Sequence, residues 1–526
     1  MRRASLKHGL LLAAVYALVR SRILFSSPVF GWRPADMAAI ARNFARSGFH
    51  LLYPQVLWGG DGPGYVEMEF PITPFLTGLL LRAFHFGEWV NLVIPLACGF
   101  GIVWVTYRFG AYLFDEGVGL AAGVVAAIAP NLVMLTTAGL WADPPMVLFA
   151  TLGLYLLLRW GDEDRPRDLW FAVTCLSLAI LLKLTALYIG IPVLYVFVKK
   201  YGAAWWRSPT TWLAAVVILV PSALWYFHAY QLARVYHNSF GIFSSGYTKF
   251  GSRDLLTSGR FYSDIVRRVF QYHFTPLGSA AAACGFVAAL RRRPRAILLV
   301  WLASVAVLTL VTAGGVLYGH FQYLLPLLPL GCIYAGVGFS WLRDRLARAI
   351  HAPSTRYALA TACLLLFTAN TAWATRRFEL LDRGLTNAEW RKREVTGRLV
   401  NDLTRPDSLI IVVDTQNDDR TPETGMVPPD VFYFADRRGW YVSLAWLTDD
   451  EIERLRGRGA SYVVVSGQSV PDFELRQRDL FGSLSRKYRT ILQSDDGIVI
   501  DLSGQASQAS LARTAPMRQQ GATVVQ

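Results

Sequence analysis

Charge is what this 526-residue chain has least of. Only 17% of its residues are Asp, Glu, Lys or Arg, against about a quarter in an average soluble protein. Hydrophobic residues make up 53%, and they come in blocks. That excludes an ordinary soluble globule and places the chain among polytopic membrane proteins. Cysteine is scarce too. Cys98, Cys175, Cys284, Cys332 and Cys363 all fall inside apolar blocks, and none has metal-ligand spacing. Neither a disulfide framework nor a zinc site is readable, and thiols so placed are packing. Internal repeats are lacking. The net charge is +15, but the Arg and Lys residues stand between apolar blocks rather than on one soluble patch, so nucleic acid is set aside as a partner.

What is present is a series of apolar stretches. A span needs about twenty mostly apolar residues. Candidates are 9–30, 89–107, 117–135, 145–159, 168–183, 185–198, 211–228, 274–290, 296–313, 321–340 and 357–374, about eleven in all. Residues 71–86 are broken by Pro71, Pro74 and Arg82 and read as a helix in the membrane interface. The N-terminal "MRRASLKHGLLLAAVYALV" has the form of a signal peptide. No small-residue cleavage site follows, and Arg20 and Arg22 interrupt it, so an uncleaved first span is expected. Arginine near mid-span costs several kcal/mol unless it faces protein or water. Snorkelling accounts for Arg22; Arg20 has no account from sequence.

Basic clusters orient the spans. They are Arg2/Arg3/Lys7, Arg165/Arg167, Lys199/Lys200, "RRRPR" at 291–295 and "RDRLAR" at 343–348. With the N-terminus inside, every cluster falls inside. Loops 31–88, 136–144, 229–273 and 314–320 are then outside, as is everything after about residue 375.

The chain changes character in that last part. Between 376 and 502 charge rises and short β-type runs appear: "SLIIVV" (408–413), "SYVVVS" (461–466) and "GIVIDL" (497–502). Between them "TDDEIERLRGRG" predicts a helix capped by Thr448. The expected division is a membrane domain over 1–375, a small extracytoplasmic α/β domain over 376–502 and a disordered, Gln/Ala/Ser/Thr-rich tail over 503–526.

The first outer loop opens with "GWRPADMAAIARNF". Met37, Ile40, Ala41 and Phe44 fall at i, i+3, i+4 and i+7, one face of a helix. Such a helix would lie flat on the membrane with Trp32 as an anchor. Pro34 suits its first turn, and a carboxylate there is favoured by the helix dipole. Asp36 therefore reads as a helix-start carboxylate, or as a base held where a lipid head group would sit; spacing leaves both open. The loop continues "LLYPQVLWGGDGPGYVEMEFPITPFL", with Asp61, Glu67 and Glu69. Its aromatics, glycines and carboxylates suit a sugar or head-group site as well as a structural loop.

Three further outer-side groups stand out. Asp143 in "AGLWADPPMVLF" precedes Pro144, the pattern of a helix N-cap. "YGHFQYLLPLLP" brings His320, Gln322 and Tyr323 into the tenth span, an aromatic belt or a set of polar groups facing a cavity. Lys183 in "LLKLTALY" lies between two apolar runs, placed to snorkel or to meet a phosphate.

Taken in order, these features resemble the GT-C glycosyltransferases that use a polyprenyl-phosphate sugar. They are similar to bacterial relatives of dolichyl-phosphate-mannose protein mannosyltransferases and of the lipid A aminoarabinose transferase. The resemblance covers roughly residues 1–375: a span, an outer-loop Asp on an "AARNF"-like helix, an "EFP..P" turn, Asp143, and a late "H.QY.LPL.P" segment. It implies that Asp36 and Asp143 are the catalytic carboxylates. Glu69 stands where many relatives have "EKPP"; here the string is "EMEFPITP", without the lysine.

On that resemblance the expected function is sugar transfer from a polyprenyl-phosphate donor to an acceptor hydroxyl on the outer face. Asp36 would be the general base and the anomeric configuration would invert. Glu67 and Glu69 would bind substrate. Lys183, Arg260, His320, Gln322 and Tyr323 would bind substrate or support the leaving phosphate. No cofactor is required. A divalent cation is an option, since hard cations favour carboxylate oxygens, but two scattered acids do not define a metal site. The expected partners are the donor, a lipid, glycan or protein acceptor, and membrane lipid, and the expected location is the plasma (inner) membrane with the N-terminus cytoplasmic. One competing reading is a transporter or flippase for a lipid-linked saccharide, which would show repeats around midplane polar sites. Another is a non-catalytic scaffold, which leaves the carboxylate-bearing loop unexplained.

Overall fold

A helix falls on each of the eleven apolar intervals. The computed structural model of the full chain describes residues 2–21, 29, 31–84, 87–243, 249–291, 295–317, 320–349, 352–381, 383–415 and 427–505; Arg22 lies outside them. The helices are α1 (Arg2–Arg20), α2 (Trp32–Ser47), α3 (Ile72–Ala83), α4 (Val93–Leu113), α5 (Glu116–Ile128), α6 (Pro130–Thr137), α7 (Asp143–Glu163), α8 (Pro166–Leu182), α9 (Gly190–Tyr201), α10 (Pro209–Tyr236), α11 (Arg253–Leu256), α12 (Gly259–Arg268), α13 (Thr275–Ala289), α14 (Arg295–Val311), α15 (Ala313–Leu317), α16 (Leu327–Ala349) and α17 (Pro353–Leu381). Among the described residues, five helical stretches are long and apolar enough to cross a membrane alone, and the bent α5–α6 pair makes a sixth. The others are shorter or carry more charge, so a tally of spans rests on the bundle rather than on length.

The chain forms two compact units, residues 1–56 with 64–387, and residues 57–63 with 388–526. In the first unit the core is aliphatic and aromatic, with Phe109 stacked on Trp301 at 5.3 Å. Small residues let helices touch. A Cβ on Gly285 of α13 would sit 1.7 Å from the Tyr334 carbonyl oxygen of α16. Close backbone approach of this kind is how helices associate where lipid removes the hydrophobic drive.

Arg20 gains its account here. Pro130 has no N–H, so α5 and α6 break with a bend of 53°. Arg20 is buried beside the break. Its Nη1 donates to the Ala127 carbonyl at 2.8 Å, its Nε to Thr136 Oγ1 at 2.9 Å, and its guanidinium lies 3.6 Å from the Tyr16 ring centroid. An arginine in the first span thus satisfies a carbonyl at the end of another helix and adds positive charge at that helix's C-terminus.

Helix α2 departs from the expected surface helix. It begins at Trp32, two residues before Pro34, and residues 34–41 are all buried. Its alanines give it no wide polar face, so α3 packs closely against it. Gly78 lies against Ala41 and Phe44, and Phe44 meets Phe75 edge-on at 5.5 Å.

The second unit holds α18 (Arg383–Leu403, from residue 388 on), α19 (Asp430–Ala435), α20 (Asp449–Gly457), α21 (Val470–Arg476) and α22 (Arg478–Lys487) around one sheet. Its strands are β1 (Leu409–Asp414), β2 (Arg438–Ser443), β3 (Ala460–Ser466), β4 (Tyr488–Ser494) and β5 (Gly497–Gln505), in the order β2-β1-β3-β5-β4. β2, β1 and β3 run parallel; β5 and β4 are antiparallel. The three apolar runs became β1, β3 and β5. β2 and β4 mix charge and aromatics, being half-buried edge strands, and gave no such run. Thr448 caps α20, accepting from the Glu451 amide at 3.1 Å. β5 continues to residue 505, past the boundary expected at 502, and residues 506–526 are outside the described range. Asp61 belongs to this unit, where it pairs with Arg458 at 2.5 Å.

Candidate active site

The polar residues of the first unit converge at the ends of α2, α7 and α8 and in the segments before α3, after α10 and before α16. Asp36 is 4% exposed. It lies in the second turn of α2, not the first, because the helix starts earlier than the proline suggests. One turn before it stands Arg33, whose guanidinium is 3.7 Å from Glu69 and 4.3 Å from the centre of the Phe240 ring. Burial works against the Arg33 charge. The neighbouring Glu69, Asp36, Tyr323 and Asp143 nonetheless hold it protonated above its ordinary value.

Asp143 is the first residue of α7, but it caps nothing. Ala142 occupies the cap position and no side-chain cap bond forms. The carboxylate instead receives Lys183 Nζ at 2.7 Å. Lys183 directly follows α8 and points inward, with Nζ 4.8 Å from the Tyr323 ring centre, so it does not snorkel. Burial would raise Glu69, but Arg33, Lys183 and Lys249 hold its carboxyl below the usual range. Burial lowers Lys249, and Arg33 and Lys183 repel it further, while Glu69 and Glu67 offset part of this.

His320 is pushed down to about 4, first by burial and then by Lys183, Arg33, Lys249 and Arg268. It is a neutral hydrogen-bonding group, not a cation. Gln322 Nε2 lies 3.1 Å from its Nδ1, and the Tyr323 ring meets it edge-on at 5.9 Å. Asp36, Glu69, Asp143, Lys183, His320, Gln322 and Tyr323 are thus brought together. Glu67 is next to them but turned away, its carboxylate bound to the Ser239–Phe243 segment. Arg260 is exposed on α12, and its described contact is local, its carbonyl accepting from Ser263.

Sequence reasoning missed Arg33, Lys249 and Arg268. Arg33 had a signal, since it lies one helical turn from Asp36. Lys249 and Arg268 had none, because only tertiary packing brings Lys249 near Glu69 and Arg268 near His320. Among the described residues no three His, Cys, Asp or Glu side chains converge on a possible metal position. Asp143 and Glu69 already face Lys183 and Arg33, so the donor set does not fit a divalent cation. The arrangement suits an anion held by partly buried bases beside a carboxylate.

This helical membrane bundle, which gathers carboxylates and bases at its helix ends and is followed by an α/β domain, has the GT-C fold of the solved structures it resembles. Residues 64–227 match the family described as dolichyl-phosphate-mannose-protein mannosyltransferase. The structure is similar to that of ArnT from Cupriavidus metallidurans bound to undecaprenyl phosphate, with a TM-score of 0.63 and 17% identity over 93% of this chain and 97% of that one. It is also similar to the Archaeoglobus fulgidus oligosaccharyltransferase in the apo form, with a TM-score of 0.57 and 14% identity over 89% and 70%. A third likeness is to AglB from Archaeoglobus fulgidus in complex with an inhibitory peptide and a dolichol-phosphate, with a TM-score of 0.55 and 15% identity over 92% and 72%. No curated protein sequence matches the chain.

Proposed function

We propose that this protein is an integral membrane glycosyltransferase that moves a sugar from a polyprenyl-phosphate donor to an acceptor hydroxyl. The observation that carries the reading is the convergence of Arg33, Lys183 and Lys249 on Glu69, beside Asp36 and Asp143. The family match and the polyprenyl and dolichol phosphates bound by the similar structures support it.

In the proposed reaction the acceptor oxygen attacks the anomeric carbon and gives its proton to Asp36. The bond from that carbon to the phosphate oxygen breaks with inversion, and the electron pair stays on the phosphate. Arg33, Lys249 and Arg268 stabilise the growing negative charge, and neutral His320 and Tyr323 contribute hydrogen bonds. A site closed to water strengthens each of these terms. Lys183 holds Asp143 in place, so that Asp143 orients the acceptor. Loop charge supports an outer-face site in the plasma (inner) membrane with the N-terminus cytoplasmic. A transporter would place its polar groups between repeats at the midplane; no repeat is present and these groups lie at helix ends.

The reading is tested with purified full-length protein in lipid nanodiscs and a sugar linked to undecaprenyl phosphate. Release of undecaprenyl phosphate that depends on an acceptor supports transfer. Movement of the intact donor between leaflets without release overturns it.

A further inference from the structure

Glu67 is 1% exposed, and its carboxylate is turned to the segment after α10; Lys249 feels its charge without a direct bond to it. Its backbone pairs with the segment after α10: the Glu67 amide donates to Asn238 O at 3.0 Å, and the Phe240 amide donates to Glu67 O at 2.9 Å. Its carboxylate grips the same segment. Oε1 accepts from the amides of Ile242 at 3.1 Å and Phe243 at 3.3 Å, and the Ser239 hydroxyl donates to Oε2. The Gly241 amide in turn donates to Ser239 Oγ at 2.8 Å. The acceptor positions of Glu67 are thus spent on one turn of chain.

That turn matters because of what it carries. Phe240 is the ring beneath the Arg33 guanidinium, and the Gly241 carbonyl accepts from Lys249 Nζ.

We propose that Glu67 is a positioning residue: by holding the amides of Ile242 and Phe243 and the Ser239 hydroxyl, it fixes the turn that sets Lys249 and the Phe240–Arg33 pair against the donor phosphate. The inference rests on the polyprenyl-phosphate reading of the site. Its chemistry is hydrogen-bond acceptance inside the protein. The neutral amide of glutamine can replace that acceptance toward the two backbone amides, whereas it could not replace a charge facing substrate.

The test uses full-length protein in nanodiscs, binding of undecaprenyl phosphate, and amide exchange of residues 239–243. Glu67→Ala should weaken binding about tenfold and expose the Ile242 and Phe243 amides, while Glu67→Gln stays within about threefold and keeps them protected. In a Lys249→Gln background, Glu67→Ala should cost no more than about twofold further, because the two residues act as one unit. Should Glu67→Ala fail to fold, Ser239→Ala removes a single donor and should show the same dependence on Lys249. Glutamine as harmful as alanine, or losses that multiply in the double variant, overturns the positioning role while leaving the functional reading intact. Failure of the wild-type protein to bind undecaprenyl phosphate overturns that reading and this inference together.

Discussion

Lys183 and Asp143 meet end to end across two neighbouring helices. The lysine directly follows the C-terminus of α8, the aspartate opens α7, and Nζ lies 2.7 Å from Oδ1, with Asp143 buried and Lys183 partly so. Each charge also complements its own helix dipole, the anion at an N-terminus and the cation at a C-terminus. Removing one partner leaves a buried charge uncompensated, at about 3–5 kcal/mol. Lys183→Met is therefore expected to lower the thermal unfolding midpoint sharply. The Lys183→Met/Asp143→Asn pair should recover most of that loss without recovering transfer activity. A double variant as unstable as the single would show that the pair is not coupled.

Asp36→Asn keeps the shape of α2 and removes the proposed base. Transfer should fall by roughly a hundred- to ten-thousand-fold, the usual contribution of a general base. Binding of undecaprenyl phosphate should hold. Turnover close to wild type would take Asp36 out of the mechanism.

Burial and the surrounding bases push His320 down to about 4 from its ordinary value near 6.5. The folded site therefore resists protonation, and this histidine contributes stability that is present above about pH 6.5 and is lost as pH falls toward 4. Transfer rates between pH 5.5 and 8 should show no inflection that His320→Gln removes. Acid unfolding between pH 6.5 and 4 should be shallower in that variant. An inflection near neutrality that vanishes with His320 would mean the imidazole carries charge in the working enzyme.

Arg20 holds the broken end of α5 through the Ala127 carbonyl and Thr136. Arg20→Leu leaves that carbonyl buried without its partner, at about 1–3 kcal/mol. The expected result is a lower unfolding midpoint, with undecaprenyl phosphate affinity within about threefold of wild type. A variant as stable as the parent would show that the bend needs no cap.

Asp430 in the tail unit is raised to about 7, by burial first and then by Asp414, with Arg393 pulling the other way at 3.8 Å. A carboxyl raised in the folded state favours folding most below its unfolded value near 4, and that contribution fades as pH rises through 7. Limited proteolysis of the tail in the full-length protein should thus be slower at pH 5 than at pH 8. Asp430→Asn should flatten the difference. An unchanged pH dependence in the variant would assign it to other groups.

The membrane class, the helical intervals, three of five strands and the carboxylates at positions 36, 69 and 143 were written in the sequence, because apolar block length and local spacing are properties of consecutive residues. The α2 helix was legible as a helix but not as a buried one, since its alanines bury only when α3 arrives to cover them. Glu67 was legible as an acid in the right loop; its turn toward residues 239–243 depends on a pairing some 170 residues away. Lys183 and Asp143 are neighbours for the same reason, as are Lys249 and Glu69. Periodicity tells which face of an element is apolar, but the partner of a charge is set by how elements stack. Only the tertiary structure could therefore bring scattered acids and bases into one cluster.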